Sequence, residues 1–157
     1  MDILEYAIKM ELDGEKFYNK QASANKNNSL YIVFLSLAQD EANHAKIINE
    51  KRKGINMPLN VKVKANISNI FGNSVEFKIE STNPRQLDVY REALKMELES
   101  IKLYERLSTE SDSNKELYKF LILQEKEHFN LLEEIVKMVN RPNEWVEDAE
   151  FGRREEY

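Results

Sequence analysis

The stretch Leu30-Tyr31-Ile32-Val33-Phe34-Leu35-Ser36-Leu37-Ala38-Gln39-Asp40-Glu41-Ala42-Asn43-His44-Ala45-Lys46-Ile47-Ile48 decides the fold. Alternating steps of four and three pick out Leu30, Phe34, Leu37, Glu41, His44 and Ile48, which share one stripe of a helix. That stripe is apolar at both ends and polar in its middle. Three other segments read the same way. About residues 2–24 the stripe is Leu4, Ala7, Glu11, Gly14 and Tyr18, and about 84–109 it is Tyr90, Ala93, Glu97, Ser100, Tyr104 and Leu107. About 114–140 it is Tyr118, Leu121, Glu125, His128, Leu132, Ile135 and Val139. With the quoted stretch, spanning about 29–53, these predict four helices.

The helix breakers agree. The 157 residues include 4 Gly and 3 Pro; only Gly14 interrupts the first fifty positions, and residues 85–141 contain neither type. Asn28 or Ser29 can cap the second helix and Gly54 can end it, Asn83 before Pro84 suits the start of the third, and Asp112 or Ser113 can cap the fourth, which Pro142 should close. The links between helices 1 and 2 and between 3 and 4 are short, so each pair should form an antiparallel hairpin. Residues 54–83 are a connection of about thirty residues, long enough to run the height of a bundle whose helices are about 36 Å long. Its one alternating patch, Val61-Lys62-Val63-Lys64-Ala65, suits a short strand or an extended segment on the bundle, and Gly72-Asn73 marks a turn. The expectation is an all-α, ferritin-like four-helix bundle with a long crossover between helices 2 and 3 and a short C-terminal helix or tail. It forms one domain over 1–157: hairpin 1–53, crossover 54–83, hairpin 84–141 and tail 142–157.

The chain also repeats itself. Ala7-Ile8-Lys9-Met10-Glu11-Leu12 recurs as Ala93-Leu94-Lys95-Met96-Glu97-Leu98, and Glu41-x-x-His44 recurs as Glu125-x-x-His128. A duplicated hairpin predicts two similar half-sites facing each other across a pseudo-two-fold axis.

Composition narrows the function. With no cysteine there is no disulfide framework, Cys-ligated zinc, Fe–S cluster, rubredoxin-type iron or thiol nucleophile in this sequence. The 28 acidic against 23 basic residues, a formal charge of −5, argue against nucleic acid or an anionic membrane as partner. No apolar run approaches the roughly 18 residues of a spanning helix, and Met1-Asp2-Ile3-Leu4-Glu5 carries acids where a signal peptide needs bases, so a cytoplasmic protein is expected.

The polar residues at the centre of the four stripes are Glu11, Glu41, His44, Glu97, Glu125 and His128, and they include both histidines of the chain. Each Glu-x-x-His places its two side chains on one face of one helix, while Glu11 and Glu97 come singly from the other two. One Glu from each of two helices and Glu-x-x-His from each of the others is the known ligand pattern of a carboxylate-bridged two-metal site in a helical bundle. Four carboxylates inside an apolar bundle would repel one another and lose hydration, at several kcal/mol for each isolated buried charge. No Lys or Arg lies on the stripes. Two divalent ions balance four glutamates, and carboxylates with one imidazole per ion suit Fe(II) or Mn(II), with Zn as a possible substitute. Tyr18 and Tyr104, two turns beyond Glu11 and Glu97, are placed to donate their hydroxyls to ligand carboxylates. Asp40, Glu99 and Glu127 flank the ligands but point off the stripe and are expected to stay solvated. Arg91, Arg106 and Lys46 are candidates to hydrogen-bond the outer ligand oxygens.

At this point the sequence resembles the rubrerythrin branch of the ferritin-like superfamily, in Met10-Glu11-x-x-Gly14-x-x-Phe17-Tyr18, Ala38-x-x-Glu41-x-x-His44, Met96-Glu97 through Tyr104, Glu125-x-x-His128 and the tail Glu144 to Phe151. The resemblance implies a non-haem centre of two Fe ions per chain that reduces hydrogen peroxide or O₂, usually in a homodimer or larger assembly. An alternative within the same superfamily is ferroxidase or iron-handling activity. Rubrerythrins with a rubredoxin module take electrons from it; the absence of cysteine implies an external electron donor such as a rubredoxin-like protein. They also carry an extra glutamate one turn after the helix 3 ligand, where this chain has Ser100, with Gly14 as its counterpart in helix 1.

Overall fold

The computed structural model describes residues 2–59, 84–110 and 113–150. Its elements are α1 (Ile3–Ala24), α2 (Leu30–Arg52), α3 (Pro84–Glu110) and α4 (Lys115–Glu150). No helix among the described residues is long and apolar enough to cross a membrane.

Local chemistry sets the ends. Asp2, in extended conformation, caps α1 by accepting the Glu5 N–H at 2.8 Å. The turn into α2 is tied by asparagines. Asn28 Oδ1 accepts the Leu30 N–H at 2.8 Å, so the capping oxygen comes from Asn28, while Ser29 makes no side-chain cap bond. Buried Asn25 donates to the Gln21 carbonyl at 2.8 Å and to the Tyr90 hydroxyl at 3.3 Å, which fastens the turn to α3. At the far end of α2, Gly54 takes φ +83° while the Gly54 and Ile55 N–H groups bond the Lys51 and Glu50 carbonyls. This two-bond closure needs a left-handed residue, and glycine adopts it without a Cβ clash.

The fourth helix departs from expectation. It continues through Pro142 to Glu150, whereas the sequence predicts that Pro142 closes it before a short C-terminal helix or tail. Proline removes one backbone bond and crowds the carbonyl four residues back, a local cost of about 3 kcal/mol. The residues after it include the good helix formers Glu144, Glu147, Ala149 and Glu150, with no glycine before Gly152, so the sequence there favours continuing the helix.

Contacts fix the helix directions. Gly14 lies against Glu41, Glu11 beside His44, and Arg52 reaches back to Asp2 and Glu5, so α1 and α2 are antiparallel. Tyr104 stacks near Tyr118 while Glu97 lies beside His128, so α3 and α4 are antiparallel too. Tyr18 meets Glu97 and Tyr104 meets Glu11, which runs α1 against α3 and leaves α2 and α3 pointing the same way. The path joining them lies in residues 60–83. Those residues, with the Val61–Ala65 patch, the Gly72-Asn73 turn, Asn83 and Asp112, fall outside the described ones.

The interior has two apolar layers. One gathers Tyr18, Phe34, Leu37, Tyr90, Leu132 and Ile135; the other gathers Ala7, Ile48, Tyr104, Leu117, Tyr118 and Leu121. Burying such side chains contributes about 1.5–3 kcal/mol each, and this holds four helices around a layer that opposes folding. That polar layer, between the two, contains the stripe centres.

Candidate metal centre

All six stripe-centre residues meet in one place. Glu11, Glu41, His44, Glu97, Glu125 and His128 are buried, the most accessible being Glu41 at 3 %. They form two overlapping sets whose ligand atoms lie within 4.8 Å of one another: Glu11, Glu41, His44 and Glu125, and Glu41, Glu97, Glu125 and His128. Glu41 and Glu125 belong to both. The glutamates of the Glu-x-x-His pairs therefore lie between the halves, and Glu11 and Glu97 stand at opposite ends. The histidine rings face each other with centroids 5.8 Å apart, as duplication of the hairpin requires.

The imidazoles are oriented. His44 Nδ1 lies 3.0 Å from Glu125, 3.3 Å from Glu11 and 3.5 Å from Glu41, while His128 Nδ1 lies 3.4 Å from Glu97 and 3.5 Å from Glu41. One Nδ1 carries at most one proton and cannot satisfy several oxygens. Glu41 Oε2, Glu97 Oε2, Glu125 Oε1 and His128 Nδ1 are buried without a hydrogen-bond partner. Orphaned buried polar atoms are rare in folded proteins, and four converging on one spot fit a group of cations. A metal such as iron fits this donor set of carboxylates and imidazoles.

The far ring nitrogens are held from behind. His44 Nε2 lies 3.2 Å from Gln124 Oε1, and His128 Nε2 lies 2.9 Å from Asp40 Oδ2. Asp40 thus does not simply stay solvated: one position before Glu41 it is turned toward α4, where the buried ring of His128 needs an acceptor. Gln124, the equivalent residue before Glu125, escaped sequence reading, although the 84-residue repeat that links His44 to His128 also links Asp40 to Gln124. Glu127 accepts from Gln124 at 3.3 Å, whereas Glu99 is exposed as expected. Arg91 and Arg106 reach acids of their own helix, Asp88 and Glu110, each at 3.9 Å, and Lys46 lines a surface groove between α1 and α2.

The tyrosines act across the bundle. Tyr18 on α1 donates to Glu97 Oε1 on α3, and Tyr104 on α3 donates to Glu11 Oε1 on α1, both at 2.5 Å. Burial and the adjacent glutamates push both phenols well above their ordinary range, so they remain donors.

Charge is distributed unevenly. Burial, then repulsion from neighbouring glutamates, pushes Glu41 and Glu125 well above the usual carboxylate range. Burial would raise Glu97 as well, but hydrogen bonding with Glu125, the His128 charge and Tyr18 outweigh it and lower it to about 2. Glu11 is lowered in the same manner by Glu41, His44 and Tyr104 against its burial. Burial opposes charging of the imidazoles, yet the carboxylates prevail. Glu11 and the other facing glutamates hold His44 well above the ordinary imidazole range, and Glu97 and Glu41 raise His128 to about 10. Without metal the cluster keeps protons in the places where cations would sit.

One side is open. A groove of about 660 Å³ between α1 and α3 reaches Glu11, Glu41 and Glu97 past Gly14 and Ser100, with Met10 and Met96 in its wall.

Comparison with the curated proteins and with solved structures returns no match. The rubrerythrin family model matches residues 2–147. With the repeated Glu-x-x-His pairs, the buried two-set cluster and a family match over nearly its whole length, this chain belongs to the rubrerythrin family.

Proposed function

We propose that the protein is a di-iron oxidoreductase that reduces hydrogen peroxide, or O₂, with electrons from a separate donor protein. The observation that carries this reading is the pair of ligand sets sharing Glu41 and Glu125, which offers two ions one imidazole each and two carboxylates in common. In this reading Glu11 and His44 complete one position and Glu97 and His128 the other. Mn or Zn could substitute, but two-electron reduction of an O–O bond calls for a pair of ions that each give up one electron readily.

Bound iron supplies two electrons and Lewis-acid activation for the reaction H₂O₂ + 2 e⁻ + 2 H⁺ → 2 H₂O. The protein supplies the rest. Tyr18 and Tyr104 hold one oxygen each of Glu97 and Glu11, which fixes the orientation of the terminal carboxylates. Asp40 and Gln124 hold the two rings with Nδ1 inward. The two apolar layers exclude water above and below, and the groove past Gly14 and Ser100 is wide enough to admit a small oxidant. The chain has no cysteine for a rubredoxin-type iron, so a rubredoxin-like partner would deliver electrons, and a homodimer is the proposed assembly.

Stopped-flow mixing of the diferrous protein with hydrogen peroxide tests the reading. Rapid oxidation of two irons by one peroxide is expected; a rate no faster than that of a Glu41→Ala variant would sink it. Sizing in solution separates the enzyme from iron storage, because a hollow particle taking up many irons per chain would instead assign the centre to iron handling.

A further inference from the structure

We propose that the two halves of the centre are unequal, and that Asp40 is the positioning residue that makes the His128 half bind its ion more tightly. The inference rests on the metal-centre reading but not on the reaction assigned to it. Duplication places an equivalent residue behind each imidazole, yet the two differ in charge. Behind His128 stands a carboxylate, Asp40, at 2.9 Å; behind His44 stands an amide, Gln124, at 3.2 Å, which itself donates to Glu127 at 3.3 Å.

The difference matters because the acceptor on Nε2 sets how strongly Nδ1 donates. A carboxylate draws the Nε2 proton toward itself, raises the electron density of the ring and adds its own negative charge near the ion; an amide does this weakly. His128 is fully buried and the Asp40 side chain is only 15 % exposed, so water screens the pair little. The other ligands are matched: each half has one terminal glutamate held by a tyrosine, and Glu41 and Glu125 are common to both. The acceptor behind the ring is thus the clear chemical difference between the halves. Loading becomes sequential, with the first ion at Glu97 and His128 and the second at Glu11 and His44.

Anaerobic titration of the metal-free full-length protein with Co(II), followed by its visible absorption and by calorimetry, tests this. Two steps are expected, the first at least tenfold tighter. Asp40→Asn keeps the side-chain shape and an acceptor oxygen but removes the charge, and it should weaken the first step 10–100-fold while leaving the second in place. Gln124→Glu should tighten the second step. In His44→Ala the first step should persist, and in His128→Ala it should be lost. Co(II) binding that Asp40→Asn leaves unchanged, or weakens equally at both ions, overturns the inference. If Asp40→Asn fails to fold, Gln124→Glu decides alone, and an unchanged second step overturns it. Two equal ions in the wild type would remove this inference and spare the metal centre, whereas no Co(II) binding at all would remove both.

Discussion

Replacing Gly14 with alanine should make the metal-free protein more stable and the metal-loaded protein less so. Gly14 lies in the interior of α1, where glycine costs roughly 0.5–1 kcal/mol relative to alanine. Its position explains why a glycine suits the site. A Cβ there would stand 3.3 Å from both Cδ and Oε1 of Glu41 and 3.4 Å from its Cγ. Ordinary carbon contacts lie at about 3.5–4.0 Å, so the carboxylate must retreat by at least about 0.2 Å. In the metal-free protein no ion fixes Glu41, which lies 3.5 Å from each histidine and hydrogen-bonds with Glu11, and the end of its flexible side chain can shift by that amount. The helix gain then survives, worth a rise in Tm of about 2–4 °C per kcal/mol for a chain of this size. With two ions bound as proposed, Glu41 would serve both halves, and metal–ligand distances tolerate only about 0.2 Å. A tenfold or larger loss of affinity is expected, about 1.4 kcal/mol or more. Thermal unfolding of metal-free and Mn(II)-loaded protein, with a binding isotherm, measures both effects. Unchanged Mn(II) affinity, or a metal-free variant destabilised by more than about 1 kcal/mol, refutes the reasoning.

Other outcomes follow from the same geometry. Folded His128 holds its proton to about pH 10 while the unfolded chain releases it near 6.5, so the folded state binds more protons within that window. The His128 contribution to the stability of the metal-free protein is therefore full below pH 6.5 and falls toward pH 10, at about 1.4 kcal/mol per pH unit for one proton. Glu41 and Glu125, also raised, act in the same direction from the ordinary carboxylate range upward. Urea unfolding at pH 6 to 9 reads this, and a metal-free protein that gains stability with pH contradicts it. Tyr104→Phe and Tyr18→Phe each remove a hydrogen bond to a buried carboxylate and should each cost about 1.5–3 kcal/mol in the metal-free protein. Losses under about 0.5 kcal/mol in denaturant melts would show that these hydroxyls do not hold the glutamates. Glu97→Ala and His128→Ala should each weaken one metal position; if both variants still bind two ions per chain with unchanged spectra, the ligand assignment is wrong.

Much of the centre was legible before folding was considered. A stripe such as Leu37, Glu41, His44, Ile48 states which face of a helix is buried, and a carboxylate and an imidazole at its middle state where apolar packing gives way. Repetition of the hairpin then implies two facing halves. These inferences are local, because a residue's face on a helix depends only on its spacing. Asp40 was misplaced for the same reason: off its own stripe it looked solvated, and only the neighbouring helix supplies the His128 nitrogen that it accepts from.

By itself, the sequence determined four amphipathic helices in two hairpins, the six converging residues, and the absence of any thiol ligand. Tertiary structure alone decided that Glu41 and Glu125 belong to both sets of converging residues while Glu11 and Glu97 belong to one each, that each tyrosine serves the glutamate of the other hairpin, that Asp40 and Gln124 stand unequally behind the two rings, and that the site opens at Gly14 and Ser100. The reason is geometric. Helical periodicity sets the angle of a side chain about its own axis, but the axial offset between the hairpins, which chooses every partner across the bundle, comes from how the two apolar layers pack together.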